Sequence, residues 1–273
     1  MINRGLCVAL IGLLLSVFVT PTFAAPKCSK TSRGFSSWLK EFKKEAMAKG
    51  ITKKTINRTL YNVSYNSTVI RYDRNQKSFK KGFKAFYRLR VNNALINRGK
   101  RLKKRHASLF NRIEKKYGVP AEILLSIWGL ETQYGSYKGN PMPIFESLAT
   151  LSFDCRRSAF FKKELMAALK IIQRGWMRPG SMHGAWAGEI GQTQFLPSSY
   201  VKYAVDFDGN GRRDLINSTS DVLASTANYL KGKGWKRGAS WKPGTHNYRV
   251  LREWNKAGVY VKTISVMAQK MKG

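Results

Sequence analysis

The sequence predicts a mainly α-helical fold for this chain of 273 residues. Apolar residues recur at three- and four-residue spacings in several segments, glycines follow some of these segments as stop signals, and no convincing run of alternating apolar and polar residues indicates a sheet. The hydrophobic fraction of 43% is enough for a substantial core, in one domain or in two closely packed ones.

In the N-terminal part, residues 35–49 predict a first helix, because apolar side chains occupy one face, lysines the other, and Gly50 follows as a stop. Thr52 is a candidate N-cap for a short second helix. Residues 76–117 lack proline and are rich in Lys and Arg with aromatics between them. Such interleaving also occurs in proteins that bind single-stranded nucleic acids. Here the helical spacing of the aromatics favours two or more helices with a core face and a solvated basic face.

The C-terminal part should contain the central helix, which starts at Pro120 and is apolar nearly all round. The other predicted elements follow in order: an amphipathic helix over 157–174, a glycine-rich loop over 184–200 that turns at Pro197, a helix that ends at Gly232, an irregular segment over 233–248, and one or two helices over 249–271.

Charge and the N-terminus restrict the function. The formal net charge of +35 indicates a polyanion or an anionic surface as partner, and a merely solubilising surface is the alternative. Arg4, the apolar run 6–19 and the small residues up to Ala24 match a signal peptide over residues 1–24. The apolar run is too short for a comfortable bilayer span, so we expect a periplasmic mature chain without a transmembrane segment. Export counts against nucleic acid as the partner.

The cysteines point to a covalent link. Removal of residues 1–24 takes Cys7 away and leaves Cys28 and Cys155. Two cysteines in an oxidising compartment indicate one disulfide. Two separate buried thiols are the alternative, since the sequence gives no distance between them.

The candidate catalytic residue is Glu131, in the stretch IWGLETQYG of residues 127–135. The three histidines are scattered, and neither a G-x-S-x-G motif nor a P-loop is present. A carboxyl group against Leu124, Ile127 and Trp128 would be short of water, which raises its pKa and makes it a general acid near neutral pH. The alternative is a helix-end glutamate that turns into solvent, and for this residue alone that is the more common outcome.

A second constellation is the segment DFDGNGRRDLINSTSD, residues 206–221, which holds four of the six aspartates. Positions 1, 3, 5, 6 and 9 of a calcium-binding loop correspond to Asp206, Asp208, Asn210, Gly211 and Asp214. Position 12 is Asn217 rather than the usual Glu, and Asp221 could complete the ligand shell in a longer loop. The concentration of acids in so basic a chain favours a structural Ca²⁺. A loop held internally by Arg212 and Arg213 is the alternative.

Six stretches together carry a family resemblance: IRYDRNQKSF, YGVPAEILLSIWGLETQYG, ESLATLSFDCRRSAFF, GAWAGEIGQTQFLPSSY, YAVDFDGNGRRDL and DVLASTANYLKGKGW. They resemble the lytic transglycosylase B family, bacterial enzymes that cleave the glycan strands of peptidoglycan. They run through almost the whole mature chain in the family's order, which makes the resemblance specific.

The resemblance implies a helical fold with a lysozyme-like core. We expect an additional N-terminal helical lobe over residues 25–118, a catalytic core over 119–273, and no separate wall-binding module, whose role the positive charge would take over. The family uses a single catalytic glutamate, which implies that role for Glu131. The positions implied to bind substrate are Gln194, Tyr229, Trp254, Asn255 and, with a looser alignment, Tyr87.

Departures from the family pattern also bear on the site. The family's Tyr-Asn pair reads Trp254–Asn255 here, so the phenol does not carry over. Ala185 stands where some members have a serine that hydrogen-bonds the catalytic glutamate. Glu189 stands where those members have a small residue, which brings a second carboxylate into the neighbourhood. The aspartate-rich segment is one residue longer before Asp221, which leaves its ligand set open.

The expected activity is cleavage of the MurNAc-GlcNAc β-1,4 bond with formation of 1,6-anhydroMurNAc ends, by a monomer that needs no cofactor for catalysis. Two alternatives stay open. A lysozyme-type hydrolase would pair Glu131 with Glu189. A wall-binding protein without turnover would use the cleft for grip alone.

Overall fold

The computed structural model describes residues 27–75, 82–137 and 139–272, and the predicted signal peptide lies outside them. The described residues form thirteen α-helices and a pair of two-residue strands. In chain order these are α1 Phe35–Ala48, α2 Lys53–Leu60, α3 Ser67–Arg74, α4 Phe83–Arg90, α5 Asn93–Arg105, α6 Ala107–Tyr117, α7 Ala121–Thr132, β1 Met142–Pro143, α8 Ile144–Phe153, α9 Ser158–Gln173, β2 His183–Gly184, α10 Pro197–Tyr203, α11 Thr219–Gly232, α12 His246–Trp254 and α13 Gly258–Met271. None of these described helices has the length and hydropathy that a bilayer span requires.

The first helices form as their local patterns predict. The apolar face of α1 is buried, and the Phe35 ring meets Phe153 of α8 edge-on at 5.5 Å between centroids. Thr52 caps α2, because its side-chain oxygen accepts a hydrogen bond from the Thr55 backbone N–H at 3.2 Å. The described part of the basic segment forms α4, α5 and α6, and Phe86 is the buried aromatic of α4.

The central position predicted for α7 is confirmed. Eleven of its twelve residues are buried, and the exception, Glu131, is half-buried. The helix packs against α5, α6, α11 and α13. Gly129 makes the close approach of α13 possible, because a Cβ atom at this position would lie 2.9 Å from the Met267 Cε atom. An apolar helix surrounded in this way needs no polar face.

Some local features differ from the prediction. Helix α8 is absent from it, because residues that are apolar on nearly all sides show no period that distinguishes helix from strand. Pro197 begins α10 rather than a turn, since proline suits the first helical position. Helix α12 begins inside the segment expected to be irregular, where the Thr245 side chain accepts from the Tyr248 N–H at 3.4 Å. The strand pair, which joins Met142 to Gly184, is too short to leave a pattern.

One hydrophobic core runs through the described residues. The buried apolar side chains from Phe35 of α1 to Met271 of α13 belong to a single cluster. Helices α1 and α3 pack against α8, α2 packs against α9, and α4 packs against α13. The division of the chain near residue 118 into a lobe and a catalytic core stays a prediction.

The start of the described chain is tied to the junction of α8 and α9. The sulfurs of Cys28 and Cys155 are bonded, with their Cα atoms 4.9 Å apart. Close by in sequence, the buried Asp73 of α3 forms ion pairs with Arg156 and Arg157. Burial alone would raise the pKa of Asp73, but the two guanidinium groups hold it below its ordinary value.

Candidate active site

Glu131 stands at the end of α7, where the backbone is strained. The helix ends at Thr132, and the next residues, Gln133 and Tyr134, have φ angles of 50° and 59°. Non-glycine residues seldom adopt this region, and such strain concentrates at functional sites. The Tyr134 hydroxyl donates to the Leu95 carbonyl oxygen at 2.9 Å. This bond fixes the turn, and with it the end of α7, against α5.

Two donors from the C-terminal helices hold the Glu131 carboxylate. The Tyr260 hydroxyl donates to Oε1 at 2.5 Å, and the Trp254 indole N–H donates to the same oxygen at 3.2 Å. Burial raises the pKa of Glu131, and the two hydrogen bonds and the nearby charge of Arg90 oppose this rise without cancelling it. Glu131 therefore keeps its proton to a higher pH than an exposed glutamate does, as a general acid requires.

Glu131 and Gln194 line two adjoining cavities of about 520 Å³ and 270 Å³. The first cavity is also lined by aromatic and polar side chains that include Tyr72, Tyr137, His183, Trp186 and Gln192. The second is also lined by Glu189, Phe195, Ser199, Tyr229, Trp254 and Asn255. A long ligand that passes through both cavities would cross Glu131.

The glycine-rich loop brings Gln194 to this crossing point. Gly191 has a φ of 76°, and a Cβ atom there would lie 2.2 Å from the Leu215 carbonyl oxygen, so the position requires glycine. Backbone hydrogen bonds of 2.7 and 2.9 Å join Ile190 and Phe195. Between them Gln194 adopts a φ of 56°, and its Nε2 donates to the Gly191 carbonyl oxygen at 2.8 Å.

Gln192 and Tyr260 are site residues that the sequence does not identify. Gln192 accepts from the Trp128 indole N–H at 2.8 Å and donates to the Ile216 carbonyl oxygen at 2.7 Å. The Thr132 hydroxyl donates to the Gln192 carbonyl oxygen at 2.6 Å. Gln192 thus joins α7 to the glycine-rich loop. Its place in the stretch GQTQF is the available signal, whereas Tyr260 has none beyond its position on an apolar helical face.

The structure brings the predicted substrate-binding residues Tyr229, Trp254 and Asn255 together in the second cavity. The Tyr229 ring meets Trp254 edge-on at 5.0 Å, and its hydroxyl donates to the Glu253 carbonyl oxygen at 2.6 Å. Burial raises the pKa of Tyr229 to about 12. This side chain is therefore a fixed, neutral wall of the cavity.

Tyr87 and Ala185 contribute less than the other positions that the resemblance marks. Tyr87 lies on α4 with the Phe83 ring at 5.7 Å, and it lines neither cavity. Its substrate role stays a prediction. Ala185 lines the first cavity but has no hydroxyl to offer Glu131. Tyr260 and Trp254 supply the hydrogen bonds to Glu131 instead.

Glu189 shares the second cavity with Glu131. Burial raises the pKa of Glu189 to about 7; neighbouring backbone N–H groups oppose the rise, and the charge of Glu131 adds to it. Its Oε2 is buried and has no hydrogen-bond partner in the described part of the chain. The cleft therefore contains two carboxyl groups with raised pKa values in different surroundings.

The aspartate loop, residues 206–221, gathers part of its predicted ligand set. Three carboxylates place oxygens within 4.8 Å of one another, those of Asp206, Asp208 and Asp221. Asp221 is buried and accepts from the Phe207 and Asp214 backbone N–H groups at 2.7 and 2.8 Å. Asp214 and Asn210 accept from backbone N–H groups of their own turns. Clustered carboxylate oxygens are the donor set that fits Ca²⁺.

Comparison with known proteins identifies the family. Residues 34–245 match the family model described as Transglycosylase SLT domain (SLT_2). A stretch of 129 residues, 47% of this chain, is 43% identical to the membrane-bound lytic murein transglycosylase B of Escherichia coli strain K12. The match spans 35% of that relative, about a third of its length.

Solved structures agree with this match. SltB3 of Pseudomonas aeruginosa, in complex with NAG-anhNAM-pentapeptide, is 30% identical with a TM-score of 0.82 over 88% of this chain and 80% of its own. The soluble lytic transglycosylase SltB1 of the same organism is 26% identical with a TM-score of 0.78 over 85% of this chain and 97% of its own. The predicted helical, lysozyme-like fold class is confirmed, and the chain belongs to the Transglycosylase SLT domain family.

Proposed function

We propose that this chain is a lytic transglycosylase that cleaves the MurNAc-GlcNAc β-1,4 bond of peptidoglycan and leaves 1,6-anhydroMurNAc ends. The observation that carries the proposal is Glu131, a carboxyl group of raised pKa that lines two adjoining cavities. The relatives support it, since SltB3 of P. aeruginosa binds a NAG-anhNAM-pentapeptide.

Glu131 would act twice in the reaction. It first donates its proton to the glycosidic oxygen as the bond from that oxygen to C1 breaks. The ionised Glu131 then takes the proton of the substrate's own 6-hydroxyl, whose oxygen bonds to C1. The proton returns to Glu131, no water is consumed, and the steps balance without a cofactor. Tyr260 and Trp254 stabilise the carboxylate between the two steps, and burial favours its return to the protonated form.

The two cavities suggest how a glycan strand is held. A strand that crosses Glu131 would place sugars on both sides of the scissile bond, and Gln194 would contact it at the crossing. Tyr229, Trp254 and Asn255 would bind the sugar in the second cavity.

Mass spectrometry of the muropeptides released from purified sacculi tests the proposal. Fragments should end in 1,6-anhydroMurNAc, lighter by one water than a hydrolysed end. Glu131→Gln is the matched control, and its rate of fragment release should fall by about 10²–10⁴ while it still sediments with the sacculi. A wall-binding protein without turnover would release none in either form.

A lysozyme-type hydrolase is the second candidate, and one observation favours it: Glu189 lines the same cavity as Glu131. In that mechanism the second carboxylate activates water or forms a covalent intermediate. Hydrolysed ends in the same digests, with loss of activity in Glu189→Gln, would support this candidate against the first.

We also propose a structural Ca²⁺ at the aspartate loop. Its ligands would be carboxylates of Asp206, Asp208 and Asp221, with Asn210 and Asp214 completing the predicted set. The support is the close approach of three carboxylates, whose mutual repulsion a cation would relieve. Bound there, the ion would stabilise the loop and take no part in glycosidic cleavage.

The location proposed for the enzyme is the periplasm, after cleavage behind Ala24. A formal net charge of +35 supports retention on the anionic wall. We expect the exported chain to act as a monomer on peptidoglycan, without a nucleic-acid partner.

A further inference from the structure

One oxygen of the Glu189 carboxyl group, Oε2, is buried without a hydrogen-bond partner among the described residues, while backbone N–H groups of Ala187 and Glu189 act on the carboxyl group. Buried polar atoms in folded proteins nearly always have a hydrogen-bond partner, so an exception indicates a group that is satisfied by something else. Glu189 also lines the second cavity, so a molecule bound there would lie next to this carboxyl group.

The fold holds Glu189 in place. A Cβ atom on Gly184 would lie 1.9 Å from the Glu189 carbonyl oxygen, so the two backbones approach as closely as glycine permits. Gly188 and Gly191 flank Glu189 with φ angles of 87° and 76°, a region that favours glycine. The Ala185 N–H donates to the Glu189 carbonyl oxygen at 3.1 Å. The backbone that carries Glu189 is therefore fixed on both sides.

The other charged groups near the cavity have ion-pair or hydrogen-bond partners other than Glu189. Glu253 already pairs with Lys256 at 2.6 Å and with Lys233 at 3.3 Å. Glu131 accepts from two donors of its own. Arg157 acts on Glu189 as a nearby charge and forms its ion pair with Asp73. Glu189 is therefore available to a ligand.

The chemistry of the cavity indicates what that ligand offers. Ser199, Gln194 and Asn255 are polar, while Phe195 and Trp254 present rings. A pyranose has hydroxyl groups at its edges and an apolar face, which suits such a lining. Because burial raises the pKa of Glu189 to about 7, the carboxyl group is about half protonated at neutral pH and largely protonated below it. The protonated form can both donate to and accept from sugar hydroxyl or acetamido groups.

We propose that Glu189 hydrogen-bonds the sugar in the second cavity, next to the bond that Glu131 cleaves, and that it positions this sugar rather than acting as a base. The inference rests on the proposed function in one respect, that the ligand is a peptidoglycan saccharide. It predicts that a neutral amide can replace the carboxyl group and that an apolar side chain cannot.

The test measures binding and stability together in a Glu131→Gln background, which separates binding from turnover. The probe is a soluble NAG-NAM tetrasaccharide, titrated calorimetrically. Glu189→Leu and Glu189→Ala should weaken its affinity about three- to tenfold, the value of one hydrogen bond, whereas Glu189→Gln should stay within about twofold. The melting temperature of the free Glu189→Leu protein should rise, because an unsatisfied buried group has been removed.

The matched control is Glu122→Gln, because Glu122 is a buried acid that pairs with Lys103 at 2.5 Å and lines neither cavity. It should melt lower and bind the saccharide unchanged.

Three results would overturn the proposal: unchanged affinity in both Glu189→Leu and Glu189→Ala, equal weakening in Glu189→Gln, or a lower melting temperature in all three variants. If the Glu131→Gln protein with Glu189 intact binds no saccharide, the proposed function is overturned as well. If the saccharide binds but the wild-type protein releases no product from sacculi, the proposed function is contradicted and the role of Glu189 in binding is not.

Discussion

Tyr260→Phe should extend the activity of the enzyme to higher pH. The Tyr260 hydroxyl donates to Glu131 Oε1 at 2.5 Å, and this bond favours the ionised carboxylate because an anion is the better acceptor. Burial raises the pKa of Glu131 and this hydrogen bond lowers it, so removal of the hydroxyl should raise the pKa further. A general acid works while it is protonated, and its activity falls as the pH rises through its pKa. The alkaline limb of the pH–rate profile should therefore move upward.

The structure sets the scale of this displacement. A hydrogen bond to a charged group contributes about 1.5–3 kcal/mol, and about 1.4 kcal/mol corresponds to one pH unit. The limb should move by roughly one to two pH units. Trp254→Phe is the graded control, because the indole N–H donates to the same oxygen at the longer distance of 3.2 Å. It should produce a smaller displacement in the same direction.

The assay is kcat/KM against pH on soluble glycan strands, since this parameter reports ionisations of the free enzyme. All variants carry Glu189→Gln as well, because Glu189 has a pKa of about 7 in the same cavity and two coupled acids would titrate as a pair. An alkaline limb that stays in place, or that moves to lower pH, would show that the Tyr260 hydrogen bond does not favour the ionised form of Glu131. Melting curves check that each variant is folded.

Other parts of the molecule give further predictions. Serine at both Cys28 and Cys155 should cost about 2–4 kcal/mol of stability in urea denaturation, and two titratable thiols in denatured, unreduced protein would contradict the disulfide. Millimolar Ca²⁺ should raise the melting temperature relative to EDTA. At a hundredfold excess of Ca²⁺ over its Kd, the free energy of unfolding should increase by about 2.7 kcal/mol. Asp206→Ala should remove this difference, and equal wild-type midpoints would mean that the loop is held by its own bonds. Less protein should sediment with sacculi as salt is added, because the Debye length falls from about 8 Å at physiological salt to about 3 Å at 1 M. Sedimentation that does not change with salt would mean that sugar contacts in the cleft retain the protein.

Local patterns were enough to predict much of the fold. Helix α1 has a clear apolar face and a glycine stop, Thr52 is a polar residue ahead of a helix, and α7 is apolar all round. Each of these signals lies within a few residues of the structure it predicts. Helix α8 has no polar face to set its period, and α12 depends on the cap from Thr245. Hydrophobic periodicity therefore predicts neither α8 nor the start of α12.

The site was predictable in part for the same reason. The apolar neighbours of Glu131 are encoded next to it, and they indicate its raised pKa. Its two donors, Trp254 and Tyr260, lie 123 and 129 residues further along the chain, and only the folding of α12 and α13 against α7 brings them there. In the aspartate loop, the spacing favours Asp214, at position 9, over Asp221, which lies beyond position 12. The structure gathers Asp221 with the other carboxylates, while Asp214 accepts from N–H groups of its own turn.

In the proposed reaction Glu131 acts as acid and then as base, with neither water nor a second carboxylate. Digestion of sacculi in ¹⁸O-water tests this claim most directly, with wild type, Glu131→Gln and Glu189→Gln compared. We expect no label at the new ends, most activity retained in Glu189→Gln, and a loss of about 10²–10⁴ in rate for Glu131→Gln. Label at the new ends, together with loss of activity in Glu189→Gln, would exclude this mechanism in favour of a two-carboxylate hydrolase.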